Sequence, residues 1–427
     1  MTRVLVFSTL FPNAAQPNHG IFVENRLRHT LALGGLEATV LAPVPWFPSS
    51  NPKFGRYAVF ATAPRFETRH GLDVWHPRYP VIPKIGEGLA PAMLYRAALA
   101  AVRRLQAAGK RFDVIDAHYF YPDGVAAIRL GRKLGLPVVI TGRGTDLTLI
   151  PDAPAARAKI QQAAAEASAM VGVCEDLRVR MVGLGAEAAR TITLRNGVDL
   201  NQFRPVDREE SRRALGVSGF TLVSVGSLIP RKAHDLTIRA LLKAPDCNLI
   251  IAGQGPSRAE LEQLVRDLGL GDRVRFLGET PHAELSRLYS AADVSVLASS
   301  REGWANVLLE SMACGTPVLA TDVNGASEVV QSAEAGRLIP ERSADCLAAT
   351  LGELRQHMPD RAATRRYAEK FGWLPIARAN KALLTAVAAG GREGCGSGEP
   401  VAAAQRALHL STESGAFASP AQNVTSP

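Results

Sequence analysis

The sequence predicts an α/β protein built from two facing doubly wound parallel-sheet (Rossmann-like) domains with a cleft between them. The chain has 427 residues, more than a single domain usually contains. Short runs rich in Val, Ile and Leu recur along it and are almost continuously apolar, as expected of strands covered on both faces. Stretches with helical spacing separate these runs, and such an alternation is typical of parallel sheets.

The predicted strands fall into two series with helical segments between them. The first series comprises residues 4–8, 38–41, 114–117, 138–141, 170–173 and 191–194. The second comprises residues 221–225, 248–252, 274–277, 294–297 and 318–321. Ala- and Leu-rich segments such as residues 95–108 and 259–268 have helical spacing.

Turn and break signals give the domain boundaries. Asn196-Gly197 indicates a turn and Pro205 a break, so we expect a first domain of residues 1–198 and a second of residues 199–371. Residues 372–388 have a helical pattern, and we expect this helix to cross back to the first domain. From residue 389 to residue 427 Gly, Ala, Ser and Thr dominate without periodicity, which predicts a disordered tail.

The net charge of +9 is confined to the first half of the chain. Residues 1–200 hold 24 Lys and Arg against 15 Asp and Glu, and the remainder holds 25 of each. A basic face suits an anionic membrane surface, a lipid diphosphate or a nucleic acid, and a solvated Arg-rich surface explains it equally well. No helix-turn-helix, zinc or aromatic-basic pattern supports nucleic-acid binding, so we expect no nucleic-acid partner.

Cysteines and apolar runs bear on the cellular location. The five cysteines form no CxxC pair, which favours reduced thiols in a cytoplasmic protein. No apolar run approaches the ~20 residues that a membrane helix needs, and residues 4–7 are too short for a signal peptide. We therefore expect a cytoplasmic protein that at most lies peripherally on the inner face of the cell membrane.

The densest group of functional signals lies at residues 299–317, which read SSREGWANVLLESMACGTP between two predicted strands. A loop followed by a helix start exposes backbone N–H groups, here at residues 304–307, that can face an anion with help from the helix dipole. Glu302 in the loop and Glu310 two turns into the helix offer carboxylates to the hydroxyls of a sugar and a ribose. By spacing alone, an exposed loop acid and a surface helix acid would be the commoner explanation.

This segment resembles the E-x7-E region of the large retaining glycosyltransferase family 4. That region usually reads EGFG, several apolar residues, then E(A/S)MACG and a proline; Glu302 and Glu310 match its two acids, and residues 312–317 its trailing turn. The resemblance implies the GT-B fold, contact of Glu302 with the donor sugar as a catalytic residue, and contact of Glu310 with the nucleotide ribose. It also implies donor binding by Gly303, Trp304, Ala305, Asn306 and Val307.

Two further segments of the second half resemble the same family. Residues 225–232, VGSLIPRK, are similar to its VGRL…(R)KG segment, whose Arg and Lys bind the donor diphosphate. Lys232 matches that Lys, and a cation there would stabilise charge on the leaving group. Ser227 stands where the family often has Arg and Ala233 where it has Gly, so Arg231 is the candidate for the missing charge. Gly253, in IAGQGP, is similar to a family turn near the nucleotide.

The first half carries weaker matches. Gly20 resembles a glycine placed against the donor phosphates and acceptor, and His118, in DAH, resembles a catalytic His that contacts the donor sugar. TGRGTD at residues 141–146 takes the place of T-x-H-G-(S/T)-D, so Arg143 replaces a His. Arg143 and Asp146 are candidates for binding the acceptor, and an ion pair between them is an equal alternative.

The resemblance, which extends to about Leu383, implies a hexosyltransferase (EC 2.4) that moves a sugar from a UDP- or GDP-sugar with retention and needs neither metal nor cofactor. The first domain would bind the acceptor and the second the nucleotide sugar. The segment of residues 119–124, YFYPDG, most resembles sequences of glycosyltransferases from bacterial exopolysaccharide or cell-wall polymer biosynthesis. This resemblance implies a lipid-linked glycan acceptor. Two alternatives remain open: a sugar-nucleotide epimerase of the same architecture, and a non-catalytic sugar-nucleotide-binding partner.

Overall fold

A computed structural model describes residues 1–81, 88–391 and 398–412. The chain divides into two compact units. The N-terminal unit comprises Met1–Asn196 and the stretch that begins at Leu374, and the C-terminal unit comprises Gly197–Trp373.

Among the described residues before residue 197, the N-terminal unit has ten strands and seven helices, and its central strands are buried and rich in Val, Ile and Ala. The strands are β1 Thr2–Phe7, β2 Leu36–Leu41, β3 Val44–Pro45, β4 Phe66–Arg69, β5 Leu72–Trp75, β6 Arg78–Tyr79, β7 Val114–His118, β8 Val138–Gly142, β9 Ala169–Gly172 and β10 Thr191–Thr193. The helices are α1 Ile21–Leu31, α2 Arg56–Thr62, α3 Ala90–Ala107, α4 Val125–Leu134, α5 Thr145–Thr148, α6 Pro154–Glu166 and α7 Glu175–Gly183.

Eight of these strands form one sheet in the order β10-β9-β8-β7-β1-β2-β5-β4. All neighbours are parallel except β4, which runs antiparallel to β5 at the edge. The direction of winding reverses between β1 and β7, and open α/β sheets bind ligands beside such a reversal, at the carboxyl ends of the strands. The loops that follow β1 and β7 are therefore where function is expected in this unit.

The C-terminal unit has six strands and eight helices in alternation. The strands are β11 Phe220–Val225, β12 Cys247–Ala252, β13 Val274–Gly278, β14 Val294–Leu297, β15 Val318–Thr321 and β16 Gly336–Ile339. The helices are α8 Arg208–Leu215, α9 His234–Ala240, α10 Arg258–Asp267, α11 Leu285–Ala291, α12 Asn306–Ala313, α13 Gly325–Val329, α14 Ala344–Gln356 and α15 Arg361–Glu369.

The second sheet is wholly parallel, in the order β13-β12-β11-β14-β15-β16. Most residues of its strands are apolar, as expected where helices cover both faces of a sheet; Leu222, Ile251 and Val294 lie in one buried cluster with Ile238 and Leu351. The reversal here lies between β11 and β14. The loops after these two strands carry Lys232 and Glu302, so the topology itself brings together residues 70 positions apart.

Two helices follow residue 372: α16, Trp373–Gly390, and α17, Glu399–Thr412. From Leu374 onward α16 belongs to the N-terminal unit, where the Asn380 amide donates to Thr30 Oγ1 at 3.2 Å and Lys381 to the carbonyl of Leu33. The prediction of disorder from residue 389 is wrong for α17, because Val401 and Ala404 are buried and give this Ala-rich segment a packed face. Residues 392–397 and 413–427 of that predicted tail lie outside the described residues.

Candidate functional site

The loops after β11 and β14 are tied together by their backbones. Residues 230–232 form a short 3-10 turn after β11, and the N–H of Ser300, after β14, donates to the carbonyl of Arg231 at 2.9 Å. The Arg231 guanidinium returns the contact by donating to the carbonyl of Arg301 at 2.9 Å. The two loops therefore form one surface at the carboxyl edge of the sheet.

Two cations of this surface converge on Glu302. Lys232 Nζ lies 2.6 Å from Glu302 Oε1, and Arg231 Nη1 lies 3.4 Å from the same oxygen. The side chains of Lys232 and Glu302 are only 13% and 8% exposed, so the pair is shielded from water. Burial alone would raise the pKa of Glu302, but the attraction and hydrogen bond of Lys232 outweigh it and hold that pKa below its ordinary value. The sequence-predicted Arg231, Lys232 and Glu302 are thus brought together, with Glu302 ionised.

Glycines let the backbone of this surface pack closely. Gly253 has φ +152°, and a Cβ on it would lie 1.9 Å from the carbonyl oxygen of Gly226. The close approach that Gly253 permits is therefore to the loop after β11, whereas the resemblance placed this glycine near the nucleotide. Gly325 does the same for the other loop, because a Cβ there would lie 2.3 Å from the carbonyl oxygen of Gly303.

The loop of residues 303–305 leads into α12 without a side-chain cap, since Ala305 precedes the first helical residue. The N–H of Asn306 donates to the carbonyl of Trp304 at 3.1 Å, and that of Leu308 to Ala305. The expectation that the Asn306 N–H is free for an anion is therefore wrong: the turn into the helix uses it. Trp304 and Ala305 are buried, and Gly303, Asn306 and Val307 are partly exposed.

Glu310, on α12, belongs to a cluster that sequence reasoning missed. His282 Nε2 lies 3.4 Å from Glu310 Oε1, and the Tyr289 hydroxyl donates to Glu310 Oε2 at 3.4 Å. The His282 ring also contacts the Gln202 amide at 2.6 Å and packs edge-on against Phe203. Burial alone would lower the pKa of the His282 imidazole, but the hydrogen bond and the negative charge of Glu310 outweigh this effect and raise it. The side chain of Glu310 stays 12% exposed, within reach of a ligand.

At the switch point of the N-terminal unit, His118 is held on both ring nitrogens. Arg143 Nη2 lies 2.7 Å from His118 Nδ1, and His118 Nε2 lies 3.4 Å from Asp116 Oδ2. A guanidinium can only donate, so Nδ1 accepts and the ring is the neutral Nε2–H tautomer. Burial lowers the pKa of His118 despite Asp116, which agrees with a neutral ring. With 2% exposure and both nitrogens engaged, this ring is not presented to a donor sugar as the sequence suggested.

Asp146 and Arg143 also differ from expectation. Asp146 is fully buried, and its oxygens accept the backbone N–H groups of Phe120, Arg143 and Gly144 at 2.7–3.0 Å. It organises the loop after β8 and is neither the side-chain partner of Arg143 nor open to an acceptor. The Arg143 guanidinium is half-buried and contacts Asn196 Oδ1 at 3.2 Å as well as His118.

Gly20 closes the loop after β1. Its φ is +70°, and a Cβ would lie 2.3 Å from the carbonyl carbon and oxygen of Leu10, so only glycine fits. It immediately precedes the first residue of α1. No group of three or more His, Cys, Asp or Glu side chains arranged to hold a metal ion occurs among the described residues.

Two family models match the chain. One described as "Glycosyl transferases group 1" covers residues 207–371, and one described as "Glycosyltransferase Family 4" covers residues 27–202. Among curated relatives, the D-inositol 3-phosphate glycosyltransferase of Geodermatophilus obscurus is 32% identical over 372 residues, which is 81% of this chain and 80% of that protein. The D-inositol 3-phosphate glycosyltransferase 1 of Catenulispora acidiphila is 28% identical over 91% of this chain and 97% of its own length.

Solved structures share the fold at low identity. The sucrose-phosphate synthase from Thermosynechococcus elongatus has a TM-score of 0.70 with 21% identity over 88% of this chain and 96% of its own. Anabaena Alr3699/HepE, solved in complex with UDP and glucose, has a TM-score of 0.69 with 21% identity over 90% of this chain and 100% of its own.

Proposed function

Because the chain belongs to the glycosyltransferases of group 1 and family 4 and has the GT-B fold, we propose a specific reaction for it. The chain is a nucleotide-sugar glycosyltransferase. The proposed reaction moves a hexose from a UDP- or GDP-sugar to a lipid-linked glycan, with retention of configuration and without a metal. The N-terminal unit would bind the acceptor and the C-terminal unit the donor.

The convergence of Lys232 and Arg231 on Glu302 is the observation that carries this proposal. The single Glu302 carboxylate lies against both cations, whose side chains are 13% exposed for Lys232 and 29% exposed for Arg231, and it leaves one positive charge uncompensated. A diphosphate brings more negative charge, so it would draw Lys232 and Arg231 toward itself and stabilise the leaving group. Glu302 would then be free to accept hydrogen bonds from the sugar hydroxyls, while Glu310, held by His282 and Tyr289, would accept those of the ribose.

The proposed independence from metal rests on these same cations. Lys232 and Arg231 supply the positive charge that a divalent ion supplies in other transferases. Within the C-terminal unit, the backbone of residues 303–305 and of Val307 would complete the donor contacts, with Gly253 supporting them through Gly226. Treatment with EDTA should leave the rate unchanged, and a loss that Mg²⁺ or Mn²⁺ restores would refute this part of the proposal.

Retention is proposed without a covalent intermediate. Glu302 is engaged by Lys232 and is assigned to positioning the donor sugar, and the leaving phosphate would assist the incoming hydroxyl on the same face. His118 is assigned a different role from the one its motif suggested: it would hold Arg143, which presents the half-buried charge. Proton NMR of the fresh product determines the anomeric configuration, and inversion would refute the assignment.

The acceptor has two candidates, both anionic. A lipid-linked glycan carries a diphosphate, and its enzymes work at a membrane surface. The curated relatives named D-inositol 3-phosphate glycosyltransferases favour a phosphorylated cyclitol as the second candidate. Either phosphate would suit Arg143. Assays with undecaprenyl-diphosphate glycans and with inositol phosphates, each with a panel of nucleotide sugars, separate the two.

A basic groove supports a peripheral place on an anionic membrane. It has a volume of about 480 Å³ and lies between α3, α4 and α6. Its cations are Arg129, Arg132, Lys133 and Lys159, above an apolar floor that includes Val125 and Ile128. No helix among the described residues is long and apolar enough to cross a bilayer.

Vesicle binding tests the membrane proposal. Replacing Arg129 and Lys133 with Ala should weaken binding to phosphatidylglycerol vesicles by about 2 kcal/mol, roughly 30-fold, since each surface cation contributes about 1 kcal/mol. Lys243→Ala, a 58%-exposed cation of the other unit, serves as the control. Binding that is unaffected by the double change, or by raising the salt concentration, would refute membrane attachment through this groove.

The donor site is tested by Glu302→Gln. Donor hydrolysis and transfer should fall by at least 100-fold, because the carboxylate is lost where the sugar is held. Glu353→Gln, an acid of the same unit with a 63%-exposed side chain, should transfer normally. Normal transfer by Glu302→Gln would refute the site, and an epimer formed from donor alone would establish the epimerase alternative.

A further inference from the structure

The loop of residues 8–20, after β1, is attached to the turn after β7 by one buried carboxyl group. Asp123 Oδ2 accepts the N–H of Thr9 at 2.8 Å, and the Thr9 hydroxyl donates to the same oxygen at 2.9 Å. Asp123 has no exposed surface. Both hydrogen-bonding groups of Thr9 that can donate are therefore directed at a single side chain 114 residues away.

The loop has further attachments near its two ends and one in its middle, where the N–H of Ala14 donates to Glu67 Oε1 at 3.3 Å. Ser8 Oγ accepts the N–H of Leu10 at 3.0 Å and donates to the carbonyl of His118 at 3.2 Å. At the far end Gly20 packs against the Leu10 backbone, and His19 Nε2 lies 3.1 Å from the Thr9 carbonyl. The position of Gly20 is thus determined through Leu10 and Thr9, and Asp123 is the side chain that fixes Thr9 across the switch point.

A carboxyl group in this place is unfavourable by itself, which argues for a specific use. Burial raises the pKa of Asp123 to about 7, the Thr9 hydrogen bonds oppose that rise, and nearby Asp146 adds to it. Tyr79 is the other titratable neighbour. Both protonation states can hold Thr9, because the ionised group accepts both hydrogen bonds and the neutral acid accepts from the N–H and donates to the hydroxyl.

We propose that Asp123 is a positioning residue for the transfer reaction, which fixes the loop of residues 8–20 and thereby places Gly20 and the start of α1. This inference rests on the proposed function, in which the N-terminal unit binds the acceptor. Asp123 acts through Thr9 and touches neither substrate. It gives the Pro122-Asp123-Gly124 motif a role that the donor site left unexplained.

Amide hydrogen exchange and steady-state kinetics on the full chain test the proposal together. Asp123→Ala removes both acceptors and should accelerate exchange in the peptide of residues 8–20 at least tenfold, while β1 and β7 keep their protection. The value of kcat should fall at least tenfold with a smaller change in the donor KM, because binding by the C-terminal unit is unaffected. Asp123→Asn, which can accept from the Thr9 N–H and donate to its hydroxyl, should restore both values to within about threefold.

Asp113→Ala is the matched control. Asp113 lies beside the opposite end of β7, where it pairs with Arg3, so its loss should leave the exchange of residues 8–20 and kcat unchanged. If Asp123→Ala does not fold, Asp123→Asn and Thr9→Val, which keeps the N–H and loses the hydroxyl, carry the test: Thr9→Val should give intermediate exchange and intermediate kcat.

The outcomes separate this proposal from the proposed function. Unchanged exchange in Asp123→Ala, or loop loosening with full kcat, would overturn the positioning role while transfer stands. An equal fall of kcat in Asp113→Ala would also overturn it, since it would show a merely structural effect. Absence of transfer by the unmodified chain with every donor would refute the proposed function, and the exchange data would still decide whether Asp123 holds the loop.

Discussion

Replacement of Lys232 by Met tests the physical basis of the proposed donor site without any substrate. The variant removes the cation at 2.6 Å from Glu302 and leaves a carboxylate that is 8% exposed, with Arg231 at 3.4 Å as a second cation beside it. Removing one member of a buried pair costs about 3–5 kcal/mol, and Arg231 places this case near the lower value, about 3 kcal/mol. For a domain of about 150–250 residues this lowers the unfolding midpoint by roughly 6–12 °C.

A double-mutant cycle isolates the pair. Glu302→Gln should destabilise less, since Lys232 can move its ammonium toward water, and the double variant should be more stable than the two single losses predict, with a coupling of about 2 kcal/mol. The exposed pair Lys243–Asp345, with 58% and 75% exposure at 2.8 Å, is the control, and Lys243→Met should cost less than about 1 kcal/mol.

The pH dependence gives this prediction its sign. The pKa of Glu302 is lowered below its ordinary 4.5, so the pair stabilises the folded chain above about pH 4.5 and loses that contribution as the pH falls through the folded-state pKa. The destabilisation by Lys232→Met, measured by urea unfolding, should therefore be full at pH 7 and shrink in acid. Additive losses in the cycle, or a destabilisation that persists in acid, would refute the assignment of a coupled buried pair.

Three further predictions follow from the surrounding residues. His282→Ala should raise the donor KM about tenfold with kcat nearly unchanged. In the wild type, the donor KM should rise with pH as His282 loses its charge, and this rise should be absent in the variant. An unchanged KM would exclude His282 from donor binding. Gly253→Ala should destabilise the chain by more than about 2 kcal/mol, since its Cβ would meet the Gly226 carbonyl oxygen, whereas Gly352→Ala in the exposed middle of α14 should stabilise it by up to about 1 kcal/mol; thermal unfolding compares the two. The pKa of Asp123 is about 7 in the folded chain against an ordinary 3.8, so the wild type should lose stability as the pH rises from 4 to 8. Over that interval the free energy of unfolding of Asp123→Asn should gain about 4 kcal/mol relative to the wild type. Parallel curves of stability against pH for the two proteins would refute the burial of an ionising carboxyl.

The interior strands could be predicted because they are covered on both faces, and all eleven predicted runs coincide with strands. The strands that were missed are the last two of the first sheet, β5 and β4, the edge strand β16 of the second sheet, and the separate pair β3 and β6. In β4 and β5 charged residues alternate with apolar ones, and β16 contains Arg337. β3 and β6 have two residues each, too few for any periodicity. Helix α17 was missed because Ala-rich composition is shared by disordered segments and by helices that pack through a narrow apolar face.

The meeting of Lys232 and Glu302 in the proposed donor site was predictable to the extent that strand order alone determines it. Lys232 and Glu302 follow strands β11 and β14, which adjoin at the switch point, so their meeting follows from strand order. The partners of Glu310 were not predictable, because His282 lies after β13 and Tyr289 in α11, and neither position has a signal in its own neighbourhood. A tyrosine on the apolar face of α11 is explained equally well by packing in the core as by a contact with Glu310.

The first-half residues show why a motif predicts a location better than a role. His118 and Arg143 do lie at the carboxyl ends of β7 and β8, as the motifs imply, and they contact each other. Exchanging the usual His for Arg143 adds a permanent donor beside His118, and a donor there consumes the ring nitrogen that would otherwise be available to a ligand. Asp146, which the sequence paired with that Arg, is already saturated by three backbone N–H groups. The substitution therefore places a half-buried guanidinium at this edge of the sheet where the family pattern has an imidazole, and a permanent positive charge there is the reason that a phosphorylated acceptor is proposed above.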